Sequence, residues 1–146
     1  MEKIVINEPK VFYHFTCSFH LPDIMESGFL NLSESIFSFE QMEDNPVVWL
    51  TASPSPENNG LLFDDNIPDF LNKTHIRFTI RSRPYIKQWD AWSDAIGIDA
   101  QQKQRLILSA SAENTYENWY ISEQPIQLAT DAICVENLHT GQILKF

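Results

Sequence analysis

The sequence predicts an α+β fold, and three observations carry that reading. The candidate helices fall in groups between strands instead of alternating strictly with them. The stretch Thr74 to Ile80 alternates apolar and polar residues with a period of two. The last residues read as two short strands joined by a turn. With 146 residues the chain is expected to form one domain, 1–146.

Each element has a local cause. Val11-Phe12-Tyr13-His14-Phe15-Thr16 is rich in β-branched and aromatic residues and reads as a strand. Ser18 is the candidate cap of a following helix, with Pro22 tolerated in its first turn. Leu21, Ile24 and Met25 form one apolar stripe, and Gly28 ends the helix in the left-handed conformation. Ser33 to Met42 reads as a second short helix. Pro46 stops regular structure, and Val47 to Thr51 is a nearly continuous apolar strand.

Residues 52–73 carry Pro54, Pro56, Gly60 and Pro68 among many Asn and Asp residues, so they read as a long loop. A loop of that length in a compact domain is a candidate lid. Its Leu61, Leu62, Phe63, Phe70 and Leu71 are expected to pack onto something. In the strand that follows, Ile76, Phe78 and Ile80 face a core. Tyr85, Trp89, Trp92 and Ile96 recur at helical spacing, which predicts an amphipathic helix ended by Gly97. Asp99 caps another helix through Leu108. Glu117 to Ser122 is a strand closed by Pro125, Ala132 to Glu136 is the next, and His139 to Gln142 turns into Ile143 to Phe146.

Composition excludes several function classes. The net charge is −10, from 20 acidic and 10 basic residues, the opposite of the basic footprint that nucleic acid or an anionic membrane demands. No apolar run approaches a membrane span. The first ten residues lack the apolar block of a secretory signal, which points to the cytoplasm. Cys17 and Cys134 form no CxxC pair, and Cys134 reads as a small buried hydrophobe. His14, His20, His75 and His139 fall at no metal-ligand spacing, so no metal is expected. Nucleotide-loop, zinc-protease and hydrolase motifs are missing from the sequence, and four glycines cannot build a glycine-rich phosphate cradle.

What remains is a set of three strand segments that carry polar side chains. They are Tyr13-His14-Phe15-Thr16, Val48-Trp49-Leu50-Thr51 with Ser53, and Glu117 to Ser122 with Pro125-Ile126. Each polar residue has two readings. His14 is a hydrogen-bonded core histidine or a ligand contact. Thr51 ends its strand or lines a site, and Glu117 is a solvated strand start or a catalytic acid.

These segments, taken in order with Leu21, Ile24, Gly28 and Leu30, resemble the ADP-ribosyltransferase-like superfamily, and within it small bacterial and phage proteins. The resemblance covers nearly the whole chain through short matches. It implies a split mixed β-sheet with flanking helices and a cleft for NAD⁺, used as substrate. In the histidine–tyrosine–glutamate branch, the residue at His14 would bond a ribose hydroxyl. Phe15 and Thr16 would hold the nicotinamide amide, Trp49 would stack on its ring, and Thr51 and Ser53 would support the glutamate. Glu117 is the nearer match to that glutamate and Glu123 the other choice.

The implied activity is NAD⁺-dependent mono-ADP-ribosyl transfer or NAD⁺ hydrolysis, with a basic protein as the expected target of a bacterial or phage effector. No Gln-x-Glu or Glu-x-Glu precedes Trp119, which speaks against arginine modification. Arg77, Arg81 and Arg83 cluster as RNA 2′-phosphotransfer would require, against the adverse overall charge. Two other classes stand beside the enzyme. One is a non-catalytic acidic binding or inhibitor protein on the same fold. The other is an interaction module whose Trp89 and Trp92 helix offers a partner surface.

Overall fold

The structure is a computed structural model that describes residues 9–32, 46–55, 68–109 and 116–146. Its strands are β1 (Val11–Thr16), β2 (Phe29–Leu30), β3 (Val48–Thr51), β4 (Ile76–Arg81), β5 (Ile86–Gln88), β6 (Trp119–Ser122), β7 (Ile126–Gln127), β8 (Ala132–Asn137) and β9 (Ile143–Lys145). Its helices are α1 (Leu21–Ser27), α2 (Trp89–Ala95), α3 (Ala100–Ser109) and α4 (Leu128–Asp131). The class is α+β.

Seven strands form one sheet in the order β5-β6-β3-β1-β4-β8-β9, and β2 pairs with β7 in a second, two-stranded sheet. Every described ladder is antiparallel. The parallel pairing that a mixed sheet requires is not found among the described residues.

Residues opposed across a ladder share a face, so the register assigns every side chain. Phe12, His14 and Thr16 oppose Ile80, Phe78 and Ile76. That face carries one core, with Leu50, Val48 and Val135 buried in it and Leu21, Ile24 and Met25 of α1 packed against it. The expected stripe of α1 is therefore what docks. The other face carries Trp119, Ile121 and Val47, covered by Trp89, Trp92, Ile98, Leu106 and Ile107 from the α2–α3 region. The sheet is buried on both sides around β3 and β6, so Val47 to Thr51 reads as an unbroken apolar run.

Local expectations meet the structure unevenly. Gly28 (φ 76°) ends α1 as expected, its N–H donating to the Ile24 carbonyl. Ser18 does not cap α1; His20 stands at that position without a side-chain bond, and the Ser18 hydroxyl donates to the Phe70 carbonyl instead. The helix expected from Tyr85 to Ile96 begins at Trp89. Ile86 to Gln88 is extended because its backbone adds to the edge of β6. Trp89 and Trp92 are buried, so they offer no partner surface. Glu117 lies in a 3-10 turn (Tyr116–Asn118), and the strand starts at Trp119. Asp99 does cap α3, accepting from the Gln101 N–H at 2.6 Å.

The C-terminal hairpin of β8 and β9 forms as expected. Phe70 packs against Phe19, ring centroids 6.1 Å apart, while it and Leu71 stay 51% and 40% exposed; Leu61, Leu62 and Phe63 lie outside the described residues. Cys134 is half-buried, and Cys17 is the buried cysteine. The helix expected over Ser33 to Met42 and residues 56–67 of the candidate lid lie outside the described residues.

Candidate functional site

The three segments singled out by sequence lie side by side. β3 stands between β1 and β6, with Tyr13 opposite Thr51 and Thr51 opposite Trp119. Chain stretches more than a hundred residues apart thus form one continuous surface.

His14 sits at mid-strand on the α1 face. Its Nδ1 lies 2.7 Å from the Trp49 carbonyl oxygen. A carbonyl accepts, so Nδ1 carries the proton and Nε2 is the acceptor of the neutral ring. Burial pushes the His14 pKa down. The bond to Trp49 opposes that push, and the nearby Lys73 charge adds to it. The imidazole is therefore neutral at pH 7, with a fixed tautomer. Phe78 lies beside it, ring centroids 6.4 Å apart. Thr16, two residues on, is on the same face and buried.

The other residues separate into groups. Phe15, Trp49 and Thr51 point to the opposite face. The Trp49 indole packs on Trp89 and Trp119, with ring centroids 6.3 and 6.1 Å away. What Trp49 contributes near His14 is its carbonyl. The hydroxyls of Thr51 and Ser53 accept backbone N–H groups two residues ahead, from Ser53 and Ser55, at 3.1 and 3.4 Å. These bonds shape the turn that leaves β3.

Glu117 and Glu123 flank β6 at opposite ends. Glu117 is exposed at the Thr51 end, where the Ala52 N–H donates to the Asn118 carbonyl. Glu123 is at the Thr16 end and pairs with Lys87 at 2.7 Å, both side chains about half exposed. Glu117 and Glu123 lie three residues to either side of Tyr120, the β6 residue in the His14 row. Neither carboxylate meets the imidazole directly: Glu123 is held by Lys87, and His14 Nδ1 by the Trp49 carbonyl.

Three features near these strands were not legible in the sequence. Lys73, just before β4, is close enough to His14 to oppose its protonation. Tyr120 lies in the same cross-strand row and on the same face as His14, its ring centroid 4.5 Å from that of Phe12. Tyr85, Arg83 and Asp131 form a network. The Tyr85 hydroxyl donates to Asp131 at 2.5 Å and Arg83 Nε donates to it at 2.8 Å. Burial and the Asp131 carboxylate push the Tyr85 pKa well up. Burial alone would raise the Asp131 pKa, but the Tyr85 and Arg83 bonds and the Arg83 charge win and hold it low. These partners are 46 to 48 residues apart in sequence, so no local spacing announces them.

Among the described residues, no three His, Cys, Asp or Glu side chains are grouped as a metal site requires. No helix among them is long and apolar enough to cross a membrane. No protein-family model, curated protein or solved structure matches the chain.

Proposed function

We propose that the chain is an ADP-ribosyltransferase-like domain that binds NAD⁺ across β1, β3 and β6 and cleaves its nicotinamide–ribose bond, passing ADP-ribose to a protein target or to water. The supporting observation is the adjacency of the three segments that carry the resemblance, with His14 on β1, to one side of the group, oriented by the Trp49 carbonyl of β3. The split mixed sheet of that superfamily belongs to this proposal; the antiparallel seven-stranded sheet and the separate two-stranded one are the observed part.

The chemistry follows from the residues. A neutral imidazole with Nε2 as acceptor suits a ribose hydroxyl. The ammonium of Lys73 suits the pyrophosphate. Tyr120 supplies an aromatic ring on the face of His14. Departure of nicotinamide leaves positive charge on the ribose, as in glycoside cleavage. A carboxylate, from Glu117 or Glu123, would stabilise that charge where it develops. The test is nicotinamide release by wild type, Glu117→Gln and Glu123→Gln with a basic protein present. Loss of about 10²–10³-fold in one variant is expected; equal traces in all three would end the enzymatic reading.

A specific observation favours a second reading. Glu117 and Glu123 stand apart from His14 and from each other, so the same surface could bind without catalysing. Combined with the −10 charge, that describes an acidic binding or inhibitor protein aimed at a basic partner. NAD⁺ binding without turnover, or salt-sensitive association with a basic protein and no NAD⁺ binding, would select it.

A further inference from the structure

β9 is the last strand in the order of the seven-stranded sheet. The Asn137 N–H donates to the Gln142 carbonyl, and the Phe146 N–H donates to the Ile133 carbonyl. With Val135 opposite Leu144, the antiparallel pattern makes Gln142, Leu144 and Phe146 the residues bonded to β8. The backbone N–H and C=O of Ile143 and Lys145 therefore point away from the sheet. Among the described residues no strand pairs with that edge. The edge is apolar: Ile143 is 60% and Leu144 52% exposed. Such an edge is a template for another strand.

We infer that two copies of this chain associate through β9, in an antiparallel ladder centred on Leu144. This register places Ile143 of each copy opposite Lys145 of the other. It is the two-fold arrangement that bonds all four outward backbone groups of each strand. The two Leu144 side chains then meet on the axis as a close, non-hydrogen-bonded pair. The charges agree. Ile143 to Phe146 contain no acid. Glu136 opposes Ile143, so Lys145 of the second copy lies next in the same row and on the same face as Glu136. Glu136 is already held by Arg77 of its own chain at 2.9 Å, with Ile143 between it and that lysine, so the row brings no like charges together. The contact is short and belongs to the weak, transient class of interface. It is independent of the NAD⁺ proposal, because β9 is separated from β1 by β4 and β8.

The test is sedimentation of the full chain up to several hundred micromolar, with two kinds of variant. Ile143→Pro removes an outward N–H and leaves the bonds to β8 intact. It should abolish the dimer while circular dichroism and melting stay those of wild type. In a Cys134→Ser background, Leu144→Cys should cross-link under oxidation and Ile143→Cys should not, because Ile143 is off the axis. A wild type that stays monomeric, a dimer that survives Ile143→Pro, or equal cross-linking at the two positions would overturn the inference.

Discussion

Nδ1 of His14 donates to the carbonyl of Trp49 at 2.7 Å, and this bond ties together the two strands at the heart of the proposed site. Tyr13 opposes Thr51 across the ladder, and the imidazole of the next residue reaches the backbone two residues before Thr51. The bond fixes the tautomer, and burial keeps the ring uncharged.

That neutrality has a signed consequence for stability. The folded pKa of His14 lies below the ordinary 6.5. Above about pH 6.5 both states are neutral and stability is full. Below it the unfolded chain takes up a proton that the folded chain refuses, so stability falls until the folded pKa is passed. His14→Gln should flatten this part of the profile. Melting from pH 7.5 to 5 checks it; identical slopes for wild type and variant would contradict the burial argument.

Asp131 works in the same sense at lower pH. Its folded pKa lies below the ordinary 3.8, so its contribution is present above pH 3.8 and is lost as pH falls through the lower folded value. Asp131→Asn should cost about 1–3 kcal/mol at pH 7, by loosening the Tyr85 and Arg83 bonds. Urea unfolding should show the gap to wild type closing below about pH 4.

Lys103 anchors α3 to α2. Its ammonium meets Asp90 at 2.5 Å and Asp94 at 2.7 Å and lies 5.5 Å from the centre of the Trp89 ring. Burial alone would lower its pKa, but the two aspartates prevail and raise it. The contribution is thus complete below the ordinary 10.5 and is lost as pH rises through the higher folded value. Lys103→Met keeps the buried stem and removes the charge; a loss of about 1–3 kcal/mol is expected in chemical unfolding at pH 7.

Gly28 isolates a backbone effect. At φ 76° an added Cβ meets no atom within 4 Å, so Gly28→Ala should cost about 1 kcal/mol through conformation alone. Gly28→Asn should cost less, since asparagine enters the left-handed region more readily. Equal losses for the two, measured by thermal unfolding, would point to a steric cause instead.

How much of this was legible follows from which forces are local. β4 was, because a half-buried antiparallel strand prints a period of two on the sequence; β1 was through its β-branched and aromatic residues, and the β8–β9 hairpin through its turn. Tyr85, Trp89, Trp92 and Ile96 misled because their helical spacing continues through Ile86 to Gln88, which tertiary pairing with β6 holds extended. The two-residue strands β2 and β7 bury Leu30 and Ile126 by pairing across nearly a hundred residues, and two residues carry no period. At the candidate site, the strand segments were visible. The face each side chain takes was not, since it depends on the register between β1, β3 and β6. That register sends the Trp49 indole to the α2 side and leaves Tyr120 on the side of His14.

The central claim is that the strand carrying His14 holds a dinucleotide. Calorimetric titration of NAD⁺ into wild type and His14→Ala, with circular dichroism to verify that both are folded, tests it most directly. A saturable heat at up to millimolar ligand in wild type, lost or weakened at least tenfold in the variant, is the expected result. No heat in wild type, or the same binding curve in both proteins, would contradict it.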